Sequence, residues 1–186
     1  MRPLESVLLA VVFAALSGLW ARPRTPINLR MWIVAGIITV LALQIALEQG
    51  RWQMVPAYIL ALACAAAWLT PPAGPRHLRI WIMLGLGEAA FLVAMALPLA
   101  FPVFDLARPH GPYGVGTTAF HWTDTARADP FDPSRRRELM VQLWYPAAHG
   151  ARGPRSPYVE DPAALEPLAR LLHLPPFVFS HLSLIR

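Results

Sequence analysis

Residues 80–124 read IWIMLGLGEAAFLVAMALPLAFPVFDLARPHGPYGVGTTAFHWTD, and within them, near Phe104, the solvent that suits the chain changes. As far as Phe101 the stretch is apolar apart from Glu88. Beyond Phe104 it is polar and broken by proline and glycine, then rich in β-branched and aromatic residues. Three more apolar runs lie upstream, Leu4 to Trp20, Met31 to Leu47 and Met54 to Thr70. Each of the four runs holds about 17 to 22 residues, and at about 1.5 Å of rise per residue that approaches or matches a hydrocarbon core of about 30 Å. The expected architecture is an α-helical membrane domain of four transmembrane helices over residues 1–104, a linker over 105–112, and a water-facing segment over 113–186.

Composition agrees with this division. Hydrophobic residues make up 56% of the chain and charged residues 15%, where a soluble domain carries about 25% charged residues. The pI is near 10.3, but the arginines sit in short loops beside the apolar runs and in the polar tail. No basic stripe alternates with aromatics, so nucleic acid is not expected as a partner. The one cysteine, Cys64, lies inside the third run. It has no intrachain disulfide partner, paired zinc ligands are absent, and neither metal nor cofactor is expected. The first run starts beside Arg2 but lacks a small-x-small cleavage site, and further spans follow, so it reads as a retained helix rather than a signal peptide.

Orientation follows from the bias of Lys and Arg toward short cytoplasmic loops. Arg22, Arg24 and Arg30 follow the first run, and Arg76 and Arg79 precede the fourth. The intervening loop holds only Arg51, offset by Glu48. Both basic loops are thus expected in the cytoplasm. The amino terminus and everything after Phe104 then face away from it, giving a multi-pass protein of the cell membrane with an extracytoplasmic segment. Trp20, Trp32, Trp52, Trp68 and Trp81 fall near run ends, where an indole suits the headgroup zone.

Glu88 stands near the middle of the fourth run. A carboxylate at that depth costs several kcal/mol unless protonated or paired, which makes a functional role the default. The alternative is a neutral or hydrogen-bonded side chain, with Gln44 as a candidate partner inside the bundle and Gly85 and Gly87 allowing close helix approach. No second buried charge completes an ion path, which favours this alternative. Pro56 and Pro98 are expected to bend or end helices.

After the linker the periodicity changes. Val115 to Asp124 reads as a strand, Ala126 to Arg137 as a polar connection with the turn pairs Asp129-Pro130 and Asp132-Pro133, and Glu138 to Tyr145 as a second, antiparallel strand stopped by Pro146. His149 to Pro157 is a loop. Asp161 before Pro162 is an N-cap signal, and Leu165, Leu168, Leu171 and Leu172 predict a short amphipathic helix to His173, ended by Pro175-Pro176.

The pieces Gly111-Pro112-Tyr113-Gly114-Val115-Gly116-Thr117-Thr118 and Arg137 to Ala147, which ends Trp144-Tyr145-Pro146-Ala147, resemble the amino-terminal part of platelet-activating-factor acetylhydrolase-like enzymes. These are α/β-hydrolases related to dienelactone hydrolases, and bacterial members carry membrane helices ahead of the hydrolase domain. The resemblance covers roughly Pro109 to Arg186 through a GPYxVGT motif followed by a strand ending WYP. It implies ester hydrolysis by a serine nucleophile with a histidine and an acidic residue, aided by oxyanion donors. In such enzymes the serine sits in G-x-S-x-G on a strand-to-helix turn. That motif occurs nowhere here, so no catalytic residue transfers to this chain. An α/β-hydrolase domain needs about 200 to 250 residues, so residues 113–186 are expected to form only its opening strand pair and helix, truncated before the nucleophile.

Other constellations read as structural. Ser180 and His181 are adjacent, with Ser183 nearby, and adjacent side chains diverge on a strand or helix, which argues against a nucleophile–base bond. His121 and His173 have no carboxylate partner identifiable by spacing. Gly111, Gly114 and Gly116 do not form a phosphate-binding pattern and are expected to serve the turn into the first strand. Arg135, Arg136 and Arg137 read as a solvated connector, or as contacts to anionic headgroups worth about 1 kcal/mol each.

The function expected is therefore that of a membrane-anchored serine ester hydrolase acting on acyl esters, such as phospholipid-derived ones, with this chain as its non-catalytic amino-terminal region. The bilayer is its partner, and confinement beside an apolar substrate raises the local concentration. The alternative is a small multi-pass membrane scaffold or transport subunit whose extracytoplasmic segment binds a partner. That reading makes Glu88 central and offers the strand pair as an edge for β-addition.

Overall fold

The computed structural model describes residues 1–19, 25–70, 77–107, 110–151 and 153–185, with backbone only over 77–84. Trp20, Arg22, Arg24 and Arg76, and the side chains of Arg79 and Trp81, lie outside the described residues. The elements are helices α1 (Pro3–Gly18), α2 (Ile27–Glu48), α3 (Val55–Leu69) and α4 (His77–Ala100), strands β1 (Gly114–Ala128) and β2 (Arg136–Ala147), and helix α5 (Leu165–Leu171). Single 3₁₀ segments precede α3 and α5, and a third runs over Pro176–Leu184.

The apolar runs become helices because leucine and alanine dominate them and their prolines sit where helices tolerate them. Pro3 and Pro56 occupy the first turns of α1 and α3, positions whose N–H has no helical acceptor. Pro56 thus starts a helix instead of bending one, while Pro98 lies within the last turn of α4. Among the described residues, Ile27–Glu48 and Trp52–Leu69 are long and apolar enough to cross a membrane. The apolar stretches Pro3–Gly18 and Gly85–Ala100 are shorter. The expected four spans therefore appear as four helices, two of which are long and apolar enough to cross a membrane within the described residues. α2 buries only Ile37, Leu41 and Gln44 and exposes Met31, Trp32, Ile38, Leu43 and Leu47. An all-round apolar helix of this kind suits an apolar surrounding.

The chain forms two compact units, one of Met1–Phe104 with Asp161–Ile185 and one of Asp105–Glu160. The carboxyl-terminal helical stretch, expected to continue the polar segment, instead packs within the helical unit. Leu165, Ala169, Val178 and Ile185 are buried there, whereas Leu168, Leu171 and Leu172 of the expected apolar stripe are exposed.

In the helical unit α1 and α3 form the centre and α2 and α4 flank them. Leu8, Val12 and Leu16 of α1 meet Ala57, Ala61, Cys64 and Trp68 of α3 in one core. Trp68, expected in the headgroup zone, is almost fully buried, and its Nε1 donates to the Ala15 carbonyl at 3.0 Å. A Cβ on Gly18 would come within 3.0 Å of that indole. Gly87 supplies the close approach expected of it, since a Cβ there would meet Leu16 at 2.9 Å, whereas Gly85 faces open space.

The second unit is a two-stranded antiparallel sheet with the register Gly116↔Tyr145, Phe120↔Val141 and Asp124↔Arg137. The strands run longer than expected: β1 starts at Gly114, and β2 begins at Arg136 and passes through Pro146 to Ala147. Because Pro146 gives no N–H, it fits this ladder only at a position where no donor is required. The connection turns as its sequence predicts. Asp129 Oδ1 accepts from the amides of Phe131 and Asp132, and Asp132 Oδ1 from that of Ser134, so aspartate side chains take the place of backbone turn bonds. Gly114 and Gly116 lie in the strand, not in a turn before it. A Cβ on Gly116 would stand 2.6 Å from the Tyr145 ring, which places glycine where the cross-strand aromatic lies flat on the backbone.

Candidate functional site

The most highly organised polar cluster of the chain gathers at one end of the helical bundle. Glu5 lies in the first turn of α1, and Glu48 and Arg51 flank the turn between α2 and α3. Arg51 Nε donates to Glu5 Oε1 at 2.7 Å and Nη2 to Oε2 at 2.8 Å, so guanidinium and carboxylate meet as a two-pronged pair. Both side chains are essentially excluded from solvent. Arg2 reaches Glu5 from the other side at 2.9 and 3.0 Å and also donates to the carbonyls of Glu48 and Gln49. The Glu48 carboxylate accepts from the amides of Leu4 and Glu5, at 2.8 and 3.1 Å. An anion facing the free N–H groups of a helix start is favourable there. Glu48 offsets the charge of Arg51 in number only: the contact partner of Arg51 is Glu5, and Glu48 caps α1.

A third Arg51 bond, from Nη1 to the Phe101 carbonyl, ties the end of α4 into the cluster. The Pro176–Leu184 segment packs beside it. Trp52 Nε1 donates to the Val178 carbonyl at 3.3 Å, the Trp52 ring meets those of Phe101 and Phe177, and His181 stands edge-on to Phe101. Gln53, next to this box, is fully buried, and neither of its amide atoms has a hydrogen-bond partner among the described residues.

Neither Ser180 nor Ser183 meets a base. His181 is buried with Nδ1 3.0 Å from the Val178 carbonyl, whereas Ser180 is exposed and its carbonyl accepts from Ser183 Oγ. Burial, reinforced by the nearby Arg51 cation, holds His181 below the usual histidine range against the opposing pull of the Val178 carbonyl. The unfolded chain therefore takes up a proton first, and the contribution of neutral His181 to stability, complete at pH 7.5, is lost as pH falls below about 6.5. The protection factors of the amides over residues 176–184, taken against the intrinsic exchange rate at each pH, are expected to fall between pH 7 and pH 5, and His181→Phe is expected to flatten that dependence.

The other sequence candidates occupy separate places. His121 does have a carboxylate partner, correcting the expectation from spacing: its ring lies 3.2 Å from Glu138 across the sheet. Strand pairing brings them together diagonally, and the pair is exposed. His173 ends α5 with φ 55°, a turn position rather than a ligand position. Arg135 lies in the connector, but Arg136 and Arg137 belong to β2. Glu88 is exposed at the midpoint of α4 and does not pair with Gln44, whose Oε1 accepts from Tyr58 at 2.8 Å. Cys64 is buried in the core. Among the described residues no three His, Cys, Asp or Glu side chains converge.

The second unit contains an open groove of about 1300 Å³, lined by Gly116, Trp144 and Tyr145 on the sheet and by Pro154, Arg155 and Ser156 from the following loop. Its walls are mostly apolar, with Arg155 supplying a cation. Comparison with protein-family models, curated proteins and solved structures finds no match to this chain.

Proposed function

We propose that this chain is the membrane-anchoring region and opening strand pair of a serine ester hydrolase similar to platelet-activating-factor acetylhydrolase-like enzymes. In this reading all four helices span the bilayer and the strand pair lies outside the cytoplasm. The observation that carries the reading is the pairing of the two motif pieces with each other. Gly114 to Thr118 and Leu143 to Ala147 lie on adjacent strands, with Gly116 beneath Tyr145.

The hairpin also exposes Phe120, Trp122, Met140, Leu143 and Trp144. Side chains of alternating parity point to opposite faces, so large apolar groups stand on both sides, as they do on strands covered by helices in an α/β domain. Two strands alone do not bury enough to stand independently. The α2–α3 turn carries a single arginine, Arg51, which supports the orientation by leaving the basic bias to the other two loops. The transport reading loses its central residue, because Glu88 is not turned into the bundle.

The test is to express this segment and its full reading frame side by side and assay a short-chain acyl ester. Hydrolysis by the longer protein alone is expected, lost on substitution of a serine in a downstream G-x-S-x-G. Equal activity in both, or none in the longer protein, overturns the proposal.

A further inference from the structure

The stretch that returns to the helical unit is apolar on two sides. In α5, Leu165 and Ala169 are buried against the unit, whereas Leu168 and Leu171 are exposed, Leu171 at 75%. At about 100° of turn per residue, Leu168 and Leu171 share one flank of the helix. Glu166 and Arg170, an exposed ion pair, share the flank roughly opposite. Leu174 and Phe177 carry the exposed apolar surface onward. One side against protein, one apolar and one charged is the arrangement of a helix lying in the boundary between membrane and water.

The depth of this stretch is fixed by separate contacts. Phe177 meets the Trp52 ring edge-on at 5.3 Å, Trp52 Nε1 donates to the Val178 carbonyl, and the same ring contacts Phe101. Trp52 opens the stretch Trp52–Leu69, which is long and apolar enough to cross a membrane, and Phe101 directly follows α4. Both rings therefore mark span ends, the level at which an indole favours the headgroup zone. The spans' own exposed apolar side chains reach that level, with Val55 in the turn after Trp52 and Leu99 just before Phe101. Lipid around the spans thus meets Phe177 where the spans end.

We infer that residues 165–177 lie in the surface of the bilayer, with Leu168, Leu171 and Phe177 set among the headgroup ends of the acyl chains and Glu166 and Arg170 turned to water. Burying an apolar face about 5 to 10 Å into that boundary gives these side chains the cover that the protein does not supply.

The inference rests on the membrane reading, and the experiment separates the two. Leu171→Cys and Ile59→Cys, the latter at an exposed position of α3, are each labelled with a fluorophore, and the full chain is reconstituted into phosphatidylcholine vesicles. The vesicles hold nitroxide lipids labelled either beside the headgroup or at the end of the acyl chain, and iodide measures access from water. The parent chain, with buried Cys64, gives the labelling background. The Leu171 label is expected to be shielded from iodide and quenched about threefold more by the headgroup-level nitroxide than by the chain-end one. The Ile59 label is expected to favour the chain-end nitroxide. Beside an Ile59 label that reads lipid, a Leu171 label open to iodide leaves the segment in water and overturns the inference. A Leu171 label shielded from iodide and from both nitroxides is covered by protein, a second copy or another part of the chain, and overturns it as well. Strongest quenching of Leu171 from the chain ends places it too deep, with the same consequence. An Ile59 label that neither nitroxide lipid quenches removes the membrane reading, and this inference with it.

Discussion

Arg51→Met is expected to destabilise the folded protein by about 3 kcal/mol or more, because the change strands a carboxylate where water does not reach. Glu5 is fully buried, and Arg51 supplies two of its hydrogen bonds, at 2.7 and 2.8 Å. Arg2 remains after the substitution but approaches from a partly exposed position, so the compensation is partial. The Phe101 carbonyl loses a donor in the same step. Three chain segments distant in sequence, the starts of α1 and α3 and the end of α4, meet at this one guanidinium. The effect should therefore appear as loss of the whole helical unit rather than as local fraying. Thermal unfolding in the detergent or lipid that keeps the protein folded measures it. The companion double change Glu5→Leu with Arg51→Met removes both charges, and replacing a buried pair with apolar residues is often near neutral. Much of the loss should be recovered; a double variant as unstable as the single one would show that the cost lies in packing, not in the uncompensated charge.

The same cluster marks where sequence reading stopped. The four apolar runs and the two strands were legible because each is a local pattern, a run long enough for a helix or an alternation of β-branched and aromatic residues. The Asp129 and Asp132 turns and the Asp161 cap were legible for the same reason, and Asp161 does accept from the Ala163 amide at 2.9 Å. Partner choice was not. The charge tally sets Glu48 against Arg51 without assigning contacts, and in the fold Glu48 faces the start of α1 while Arg51 turns to Glu5. Antiparallel packing of α1 and α2 puts the beginning of one beside the end of the other, and the signal was the set Arg2, Glu5, Glu48 and Arg51, all at one end of that pair. The His121–Glu138 contact was hidden likewise, because a separation of 17 residues carries no meaning until the register is known. Glu88 failed for a third reason: an apolar run of constant hydrophobicity gives no stripe, so its inward face cannot be read. The two-stranded unit shows the converse limit, since its register fixes which residues meet but not what covers their faces.

Trp68→Ala is expected to cost about 3 to 5 kcal/mol, the range for emptying a large aromatic site in a packed core. Trp68 is 2% exposed and lies between α1 and α3, with its ring against Gly18. The indole also satisfies a specific acceptor. The last carbonyls of a helix have no amide of the following turn to receive from, and the Ala15 carbonyl, near the end of α1, receives Trp68 Nε1 at 3.0 Å. Two separable contributions follow. Trp68→Phe keeps much of the volume but removes the donor, and should cost about 1 to 3 kcal/mol for the unsatisfied carbonyl; the remainder of the alanine loss is then packing. An interfacial tryptophan, by contrast, would be replaceable by phenylalanine or alanine with little change in unfolding temperature. Gly18→Ala provides an independent check on the same contact. Its new methyl would lie 3.0 Å from the ring, so it should destabilise the wild-type protein and be better tolerated once Trp68 is alanine. Additive losses in that double variant would mean that the ring does not rest on Gly18, and that the end of α1 is held to α3 by other contacts.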